Sequence, residues 1–304
     1  MKCTCDPDPM AEASGDARMV QVGAPSVACR INELPSDVLT RAISFLDARQ
    51  LVKTCVLSLQ WRDLWRSVPR INVSREEFDG MPGTWFEQNM LFKKFFNRFL
   101  MLRNPTPLDE FNLSYGVRVS EDLTDREYIA ESEDANLWIG HALQCNARSV
   151  KVSAAECGAK LHLDPVMFAS KCFLTSLELT SVVLFAGFFK NLQMGCTLLE
   201  RLKLYDCPIC DAEVSSQTLT LLTLDGVWFT HSEQGSISIP SLVTFVCSSF
   251  VRPPLLTNLG SLETATVSIG TYTDDTDIRQ FLRDLSNATH LDLCYNGPKV
   301  CMLT

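Results

Sequence analysis

The chain has 304 residues, of which 46% are hydrophobic and 21% charged. That composition supplies a sizeable core and excludes global disorder, and the length accommodates one elongated array or one large domain beside a small one. With 27 Lys and Arg against 36 Asp and Glu, the net charge is −9, a balance that argues against coating a phosphate backbone, which needs clustered positive charge.

Residues 1–28 mix Pro7, Pro9, Gly15, Gly23 and Pro25 with Ala, Ser and Asp and carry no hydrophobic period. They read as a flexible tail. Met1-Lys2-Cys3-Thr4-Cys5 lacks the apolar core of a secretory signal. The longest apolar stretch, 182–189, falls well short of the about 20 residues a bilayer-spanning helix needs. The expectation is an intracellular protein, cytoplasmic and/or nuclear, with no membrane contact. Its thirteen cysteines, an odd number, then stay reduced, most of them as small buried apolar side chains.

From residue 31 the texture changes. Leu34-Pro35-Ser36-Asp37-Val38-Leu39 opens a helix whose apolar positions, Val38, Leu39, Ala42, Ile43, Phe45 and Leu46, mostly keep helical spacing. Pro35 suits the first turn, where a missing N–H costs nothing. Asp47-Ala48-Arg49-Gln50 has the form of a capping box ahead of a second helix carrying Leu51, Val52 and Cys55. A third helix is expected through Leu59-Gln60-Trp61-Arg62-Asp63-Leu64-Trp65, with both tryptophans on one face, ending before Pro69. Three short helices in about 40 residues are barely stable alone, so the module should lean on a partner or on the rest of the chain.

Leu34-Pro35-Ser36-Asp37-Val38-Leu39, Ile43-Ser44-Phe45-Leu46 and Val56-Leu57-Ser58-Leu59-Gln60-Trp61-Arg62-Asp63-Leu64-Trp65, in that order and spacing, resemble the F-box as plants write it. The resemblance covers 31–71 without a gap, and the segment 29–72 is assigned to it.

The next segment, 73–107, reads as a helical linker. Within it, 90–102 place Phe92, Phe95, Phe96 and Phe99 on one helical face, with Lys93, Lys94, Asn97 and Arg98 between them. Such an aromatic stripe is read as core packing. Residues 119–134 hold Glu121, Asp122, Asp125, Glu127, Glu131, Glu133 and Asp134 against Arg126 alone, and read as a solvated loop and helix start. Leu137-Trp138-Ile139 with Ala142-Leu143 marks another short amphipathic helix.

A period then governs the array assigned to 108–304. Leu174…Leu177…Leu179, Leu199…Leu202…Leu204 and Leu219…Leu222…Leu224 fit L-x-x-L-x-L fully. Degenerate copies stand at Leu108…Phe111…Leu113, Ala147…Val150…Val152, Leu242…Phe245…Cys247, Leu262…Ala265…Val267 and Ala288…Leu291…Leu293. After a first step of 39 residues the copies recur every 20–27, within the leucine-rich-repeat range of about 20–29. The fourth and sixth template residues should stack inward, leaving their neighbours on the concave face. The fold expected is α/β: a three-helix F-box followed by an irregular leucine-rich-repeat solenoid with a curved parallel β-sheet.

This second pattern also resembles plant F-box proteins with irregular leucine-rich repeats. Members often continue into a further C-terminal domain, whereas this chain stops soon after Asn296-Gly297-Pro298. The strand near Leu291 then lacks the cap a solenoid end needs, which raises C-terminal truncation or alternative splicing.

Chemistry is sparse in the sequence. The histidines, His141, His162, His231 and His290, never pair at i, i+4, and no nucleophile elbow, phosphate loop or zinc module is present. Cys207-Pro208-Ile209-Cys210 lacks further ligands, and Cys207 falls where the repeat asks for Asn or Cys. Asp274, Asp275 and Asp277 read as a solvated turn. No catalytic residue, metal or cofactor is assigned.

The resemblance implies a non-catalytic substrate receptor of an SCF-type E3 ubiquitin ligase, docking a Skp-family adaptor and through it a cullin, while the repeats capture a protein target. The positions matching adaptor docking are Leu34, Pro35, Val38, Leu39, Ile43, Leu46, Val52, Leu57, Trp61 and Trp65, some of which must instead form the module's own core. The alternatives are a repeat scaffold without a ubiquitination role and a thiol-redox or metal protein. For the target, Arg201, Lys203 and Tyr205, flanked by Glu178 and Asp225, stand out on the expected concave face, either as an interface hot spot or as an internal charge network. No nucleic acid partner is expected.

Overall fold

The computed structural model describes residues 30–118, 125–154, 158–230, 234–250, 252–269 and 275–295. The expected tail, 1–28, lies outside them. The chain divides after Leu34 into two compact units. In the first, Arg30–Glu33 forms a single 3-10 turn. The second begins at Pro35 and contains the helical module and the repeats together.

The module opens with α1, Ser36–Ile43, which buries Leu39 and Ile43 one turn apart. Pro35 stands just before the first turn, at the N-cap. Helix α2, Ala48–Lys53, buries Ala48 and Leu51, and Asp47 is its N-cap. The Asp47 side chain makes no capping bond, so the expected capping box does not form. The third α-helix is also absent. In its place lie 3-10 turns at Thr54–Val56 and Leu64–Ser67, with i→i−3 bonds from Trp61 N to Ser58 O at 3.1 Å and from Arg66 N to Asp63 O at 3.1 Å. Ser58 and Asp63 disfavour a helix interior, and Pro69 forces the chain into extended backbone. Tertiary packing sets the outcome: Trp61 and Trp65 are both buried, and Trp65 stacks on Phe99 at 5.3 Å.

Helix α3, Trp85–Leu102, starts earlier than the Phe stripe indicates because Thr84 and Glu87 form a true capping box. Glu87 N donates to Thr84 Oγ1 at 3.3 Å, and Thr84 N donates to Glu87 Oε2 at 2.7 Å. Phe92, Phe96 and Phe99 are buried, and Phe92 contacts Tyr115 and Trp138 with ring centroids 5.4 and 5.5 Å away. The acidic helix start and the 137–143 segment belong to one helix, α4, Asp125–Gln144; residues 119–124 of the acidic run lie outside the described residues.

Nine strands build the main sheet: β1 (Arg70–Ser74), β2 (Glu110–Ser114), β3 (Ser149–Ser153), β4 (Ser176–Thr180), β5 (Arg201–Tyr205), β6 (Leu221–Asp225), β7 (Thr244–Ser248), β8 (Thr264–Ile269) and β9 (His290–Tyr295). They pair in chain order and all in parallel. The register aligns template residues across neighbours, so Leu177, Leu202, Leu222 and Phe245 form one ladder and Leu179, Leu204, Leu224 and Cys247 the next. All of these side chains are buried. At the last strand, Leu291 and Leu293 are 41% and 47% exposed.

β1 was not anticipated. Val68, Ile71 and Val73 occupy the template and are buried, but their β-branched side chains and the intervening Pro69 hide the motif. The strand runs through the expected boundary between module and linker at 72/73. Repeat stacking therefore begins inside the module's own sequence.

After β4, β5, β6 and β7 the chain turns through a left-handed residue: Ser181, Asp206, Gly226 and Ser249, with φ between 52° and 62°. Only one is glycine; Asp and Ser tolerate this region where local hydrogen bonds favour it. The first three of these turns tie to the next repeat, Ser181 N donating to Tyr205 O at 2.8 Å, Asp206 N to Asp225 O at 2.7 Å and Gly226 N to Ser248 O at 3.1 Å. The backbone then enters an outer layer of short parallel strands, including Val182–Leu184, Pro208–Ile209 and Trp228–Phe229, and helix α5, Phe188–Gly195. Helix α6, Asp275–Asp284, precedes β9 and buries Phe281.

Module and array share a core. Asp47 makes a parallel bridge with Asn72 of β1, and Asn72 Nδ2 donates to Ser44 O at 3.4 Å. Arg49 donates to Glu77 O at 2.6 Å and lies over the Phe78 ring at 4.9 Å. Arg103 on the other side donates to Val68 O at 3.1 Å. The loop between α1 and α2 thereby covers the free edge of β1, which blunts an otherwise exposed strand.

Candidate functional site

Burial sorts the ten module positions into distinct groups. Leu39, Ile43, Trp61 and Trp65 are buried in the module's own packing, so they support the helices and offer no free surface. Leu46 and Val52 are half-buried against that core. Pro35, Val38 and Leu57 are exposed, and Leu34, in the first unit, is exposed as well.

Three further apolar side chains of the second unit, which the spacing had not singled out, are turned to solvent. Phe45, Val56 and Leu59 are 66%, 82% and 79% exposed, beside Val38 at 45% and Leu57 at 65%. Helical periodicity marked Phe45 as an inward position, but the helix stops at Ile43. Arg70 holds the Phe45 ring instead, 4.7 Å from its centroid. The 3-10 turn at Thr54–Val56 likewise presents Val56, Leu57 and Leu59 outward, because 3-10 backbone does not keep an α-helical stripe. Single exposed apolar residues need no explanation, but five within residues 38–59 of a folded module are a concentration of solvent-facing apolar side chains.

The second cluster lies on the face of the main sheet opposite the leucine ladders. Register puts Lys151, Glu178, Lys203 and Thr223 side by side on β3 to β6, and Ser153, Thr180, Tyr205 and Asp225 beside them. Glu178 lies 2.6 Å from Lys151 and 3.8 Å from Lys203. Arg201 reaches Glu200, at 4.0 Å, rather than Glu178. Lys151 joins the expected members Glu178, Lys203, Tyr205 and Asp225 on this face through the strand register. Burial first, then the Glu178 carboxylate, pushes the Tyr205 phenol up, so it remains a hydrogen-bond donor at neutral pH. Toward the module, the face continues as an amide pair, Asn112 Nδ2 donating to Asn72 Oδ1 at 2.7 Å. A cleft of about 190 Å³ there is lined by Asp47, Asn72, Asn112 and Lys151 among others.

The thiols and imidazoles point to packing. Cys207 is buried behind β5, its Sγ 3.2 Å from Tyr205 O, and burial pushes its thiol up to about 11. That is a repeat residue, not a nucleophile. Cys145, the first residue after α4, has its Sγ 3.6 Å from Nε2 of His141 in the last turn of that helix. Burial raises the Cys145 thiol and lowers the His141 imidazole, which Arg103 lowers further. Both groups are thus held neutral, the opposite of an activated thiolate–imidazolium pair. His162 packs edge-on against Phe185 at 5.1 Å, and His290 is exposed on β9. His231 and Asp274 lie outside the described residues, while Asp275 and Asp277 begin α6. Among the described residues no group of three or more His, Cys, Asp or Glu side chains could hold a metal ion, and no helix is long and apolar enough to cross a membrane.

Residues 31–72 match the family model of the F-box domain. Three similar curated proteins come from Arabidopsis thaliana. An FBD-associated F-box protein is 27% identical over 216 residues, 64% of this chain and 46% of the relative. An F-box protein is 28% identical over 242 residues, 73% and 48% of the two chains. An F-box/FBD/LRR-repeat protein is 29% identical over 155 residues, 51% and 30%. The chain spans less than half the length of these relatives. No solved structure matches it. The chain thus carries an F-box over residues 31–72, followed by a parallel repeat sheet, and is similar beyond the box to plant F-box proteins, among them one with FBD and leucine-rich-repeat segments.

Proposed function

We propose that the protein is a substrate-receptor subunit of an SCF-type ubiquitin ligase, acting in the cytoplasm and/or nucleus. In this reading the F-box docks a Skp-family adaptor, which joins it to a cullin, and the repeat sheet captures a protein target. The receptor performs no chemistry of its own. It raises the effective concentration of target lysines near a bound E2, converting an encounter between dilute proteins into one within a complex.

The observation that carries the reading is the outward apolar set Val38, Phe45, Val56, Leu57 and Leu59 on a module whose tryptophans and α1 leucine are already used inside. Such a surface costs solubility unless a partner covers it. Leu34 and Pro35 are assigned to the same docking by their match to the family motif. The shared core of box and first repeat adds a geometric consequence: adaptor and target are held by one body, so the distance between them is set by packing and not by a flexible linker.

Reconstitution tests this. The chain should co-purify with a Skp-family adaptor and a cullin, and should promote ubiquitin transfer to proteins that it captures. A chain that binds targets but no adaptor would be a repeat scaffold, and the receptor assignment would be withdrawn.

A further inference from the structure

Charge is unevenly placed on the face of the sheet read above as the target surface. One carboxylate, Glu178, serves two ammonium groups, Lys151 at 2.6 Å and Lys203 at 3.8 Å. It is also the most enclosed of the three, its side chain 22% exposed against 50% for Lys151 and 37% for Lys203. Arg201 stands two residues before Lys203, on the same side of β5, and is 48% exposed, its guanidinium 4.0 Å from the exposed carboxylate of Glu200. The cations therefore project beyond the group that holds them, in a chain whose net charge is −9. Around them the aligned residues on β3 and β4 are neutral hydroxyls, Ser149 and Ser176 on one side, Ser153 and Thr180 on the other.

Spacing adds the size of the ligand. Strands about 4.8 Å apart and a same-face step of about 6.8 Å along a strand put the three cationic backbone positions roughly 7–12 Å from one another. Two acidic side chains at i and i+2 of an extended segment span such a patch, and so does one phosphate whose oxygens are shared among the side chains. A nucleic acid fits less well. On β6, β7 and β8 the aligned outward residues are Leu221, Thr223 and Asp225, Thr244, Val246 and Ser248, Thr264 and Thr266; they add a carboxylate beside Tyr205 and offer no cationic track for a second or third phosphate.

We propose that Lys151, Arg201 and Lys203 form an anion-reading site that captures an acidic or phosphorylated segment of the target polypeptide, with Glu178 holding the two lysines in position. The proposal rests on the concave sheet face being the target surface, and it names the chemistry that this face selects. Tyr205, still a phenol at neutral pH, adds a donor and an aromatic face at the edge of the site. Glu178 restrains affinity as well as positioning the lysines, since it competes with the ligand for both ammonium groups.

Fluorescence anisotropy of the full chain with short labelled Gly/Ser peptides tests it. One probe carries Glu-Gly-Glu at its centre, the second two phosphoserines, the third Lys-Gly-Lys. The anionic probes should bind and the lysine probe should not. Lys151→Ala, Arg201→Ala and Lys203→Ala combined should weaken anionic binding by about tenfold or more, with an unchanged melting curve. Glu178→Gln should strengthen it. Tighter binding of the phosphoserine probe identifies phosphate as the source, and equal binding identifies carboxylate side chains. The proposal is overturned if no anionic probe binds, if the lysine probe binds equally, if the triple variant keeps wild-type affinity, or if a single-stranded oligouridylate binds better than the peptides. None of these readouts involves the adaptor. Loss of the anion site with adaptor binding intact removes this inference alone, whereas a wild-type chain that fails to bind the adaptor removes the receptor reading.

Discussion

Two glycines in helices should respond to alanine with opposite signs. In an unencumbered helical position Gly→Ala stabilises by about 1 kcal/mol, because alanine restricts the unfolded chain and glycine does not. Gly140 in α4 is such a position: a Cβ there meets nothing within 4 Å. Gly195 ends α5, and a Cβ there falls inside contact with the carbonyl oxygens of Phe168 and Ser170, with the Ala169 carbonyl carbon at 3.0 Å. These are backbone atoms and cannot rotate away. They are also tied in place, since Cys172 N donates to Gly195 O at 3.0 Å and Ala169 N to Val166 O at 3.0 Å. Overpacking costs about 1–3 kcal/mol, and immovable backbone belongs at the upper end. Subtracting the propensity gain of about 1 kcal/mol leaves Gly195→Ala destabilised by about 2 kcal/mol. Urea unfolding followed by tryptophan fluorescence compares the two variants with wild type. If Gly195→Ala stabilises as Gly140→Ala does, the close approach of α5 to the preceding turn, and with it the spacing of the outer layer, is wrong.

Other expectations are simpler. Leu204→Ala removes a fully buried side chain between Leu179 and Leu224 and should cost about 2–5 kcal/mol in the same unfolding experiment, through lost burial and the cavity left behind; a cost near zero would put the repeat register in error. Thr84→Ala breaks the capping box on α3 and should cost about 1 kcal/mol, read as a lower unfolding midpoint with unchanged peptide binding. A loss of peptide binding from that variant would mean that α3 acts on the concave face, which the present packing does not provide.

The repeat array was legible because it is periodic. Each of the eight templates found in the sequence corresponds to a strand of the main sheet, from Phe111 on β2 to Leu291 on β9, since an inward ladder demands the same apolar spacing in every turn. β1 is hidden in the sequence because its template residues Val68, Ile71 and Val73 are β-branched, are interrupted by Pro69 and straddle the end of the F-box match at residue 72, so part of one stretch serves two motifs. The helical module was legible as a family motif but not as geometry. Apolar spacing cannot distinguish Trp61, which packs inward, from Phe45, which helix termination at Ile43 leaves outside. Local signals misled where tertiary contacts prevailed: Asp47 has the letters of a capping box, yet its backbone is used to bridge β1. The charged cluster lay midway. Glu178, Arg201, Lys203 and Tyr205 can be picked out by alternation along β4 and β5, but that Glu178 holds Lys203 together with Lys151 of β3 follows only from register and burial.

The central claim is that the outward apolar surface of the box receives the adaptor, and the most direct measurement is calorimetric titration of the chain with a Skp-family adaptor before and after altering that surface. Val56→Ser, Leu57→Ser and Leu59→Ser combined should leave the fold intact, because all three side chains are exposed. Covering each apolar side chain contributes about 1.5–3 kcal/mol, so even partial coverage of the three predicts a loss of at least about a hundredfold in affinity. Tight binding by the wild type and that loss in the variant are the predicted result; wild-type affinity in a folded triple variant would contradict the account.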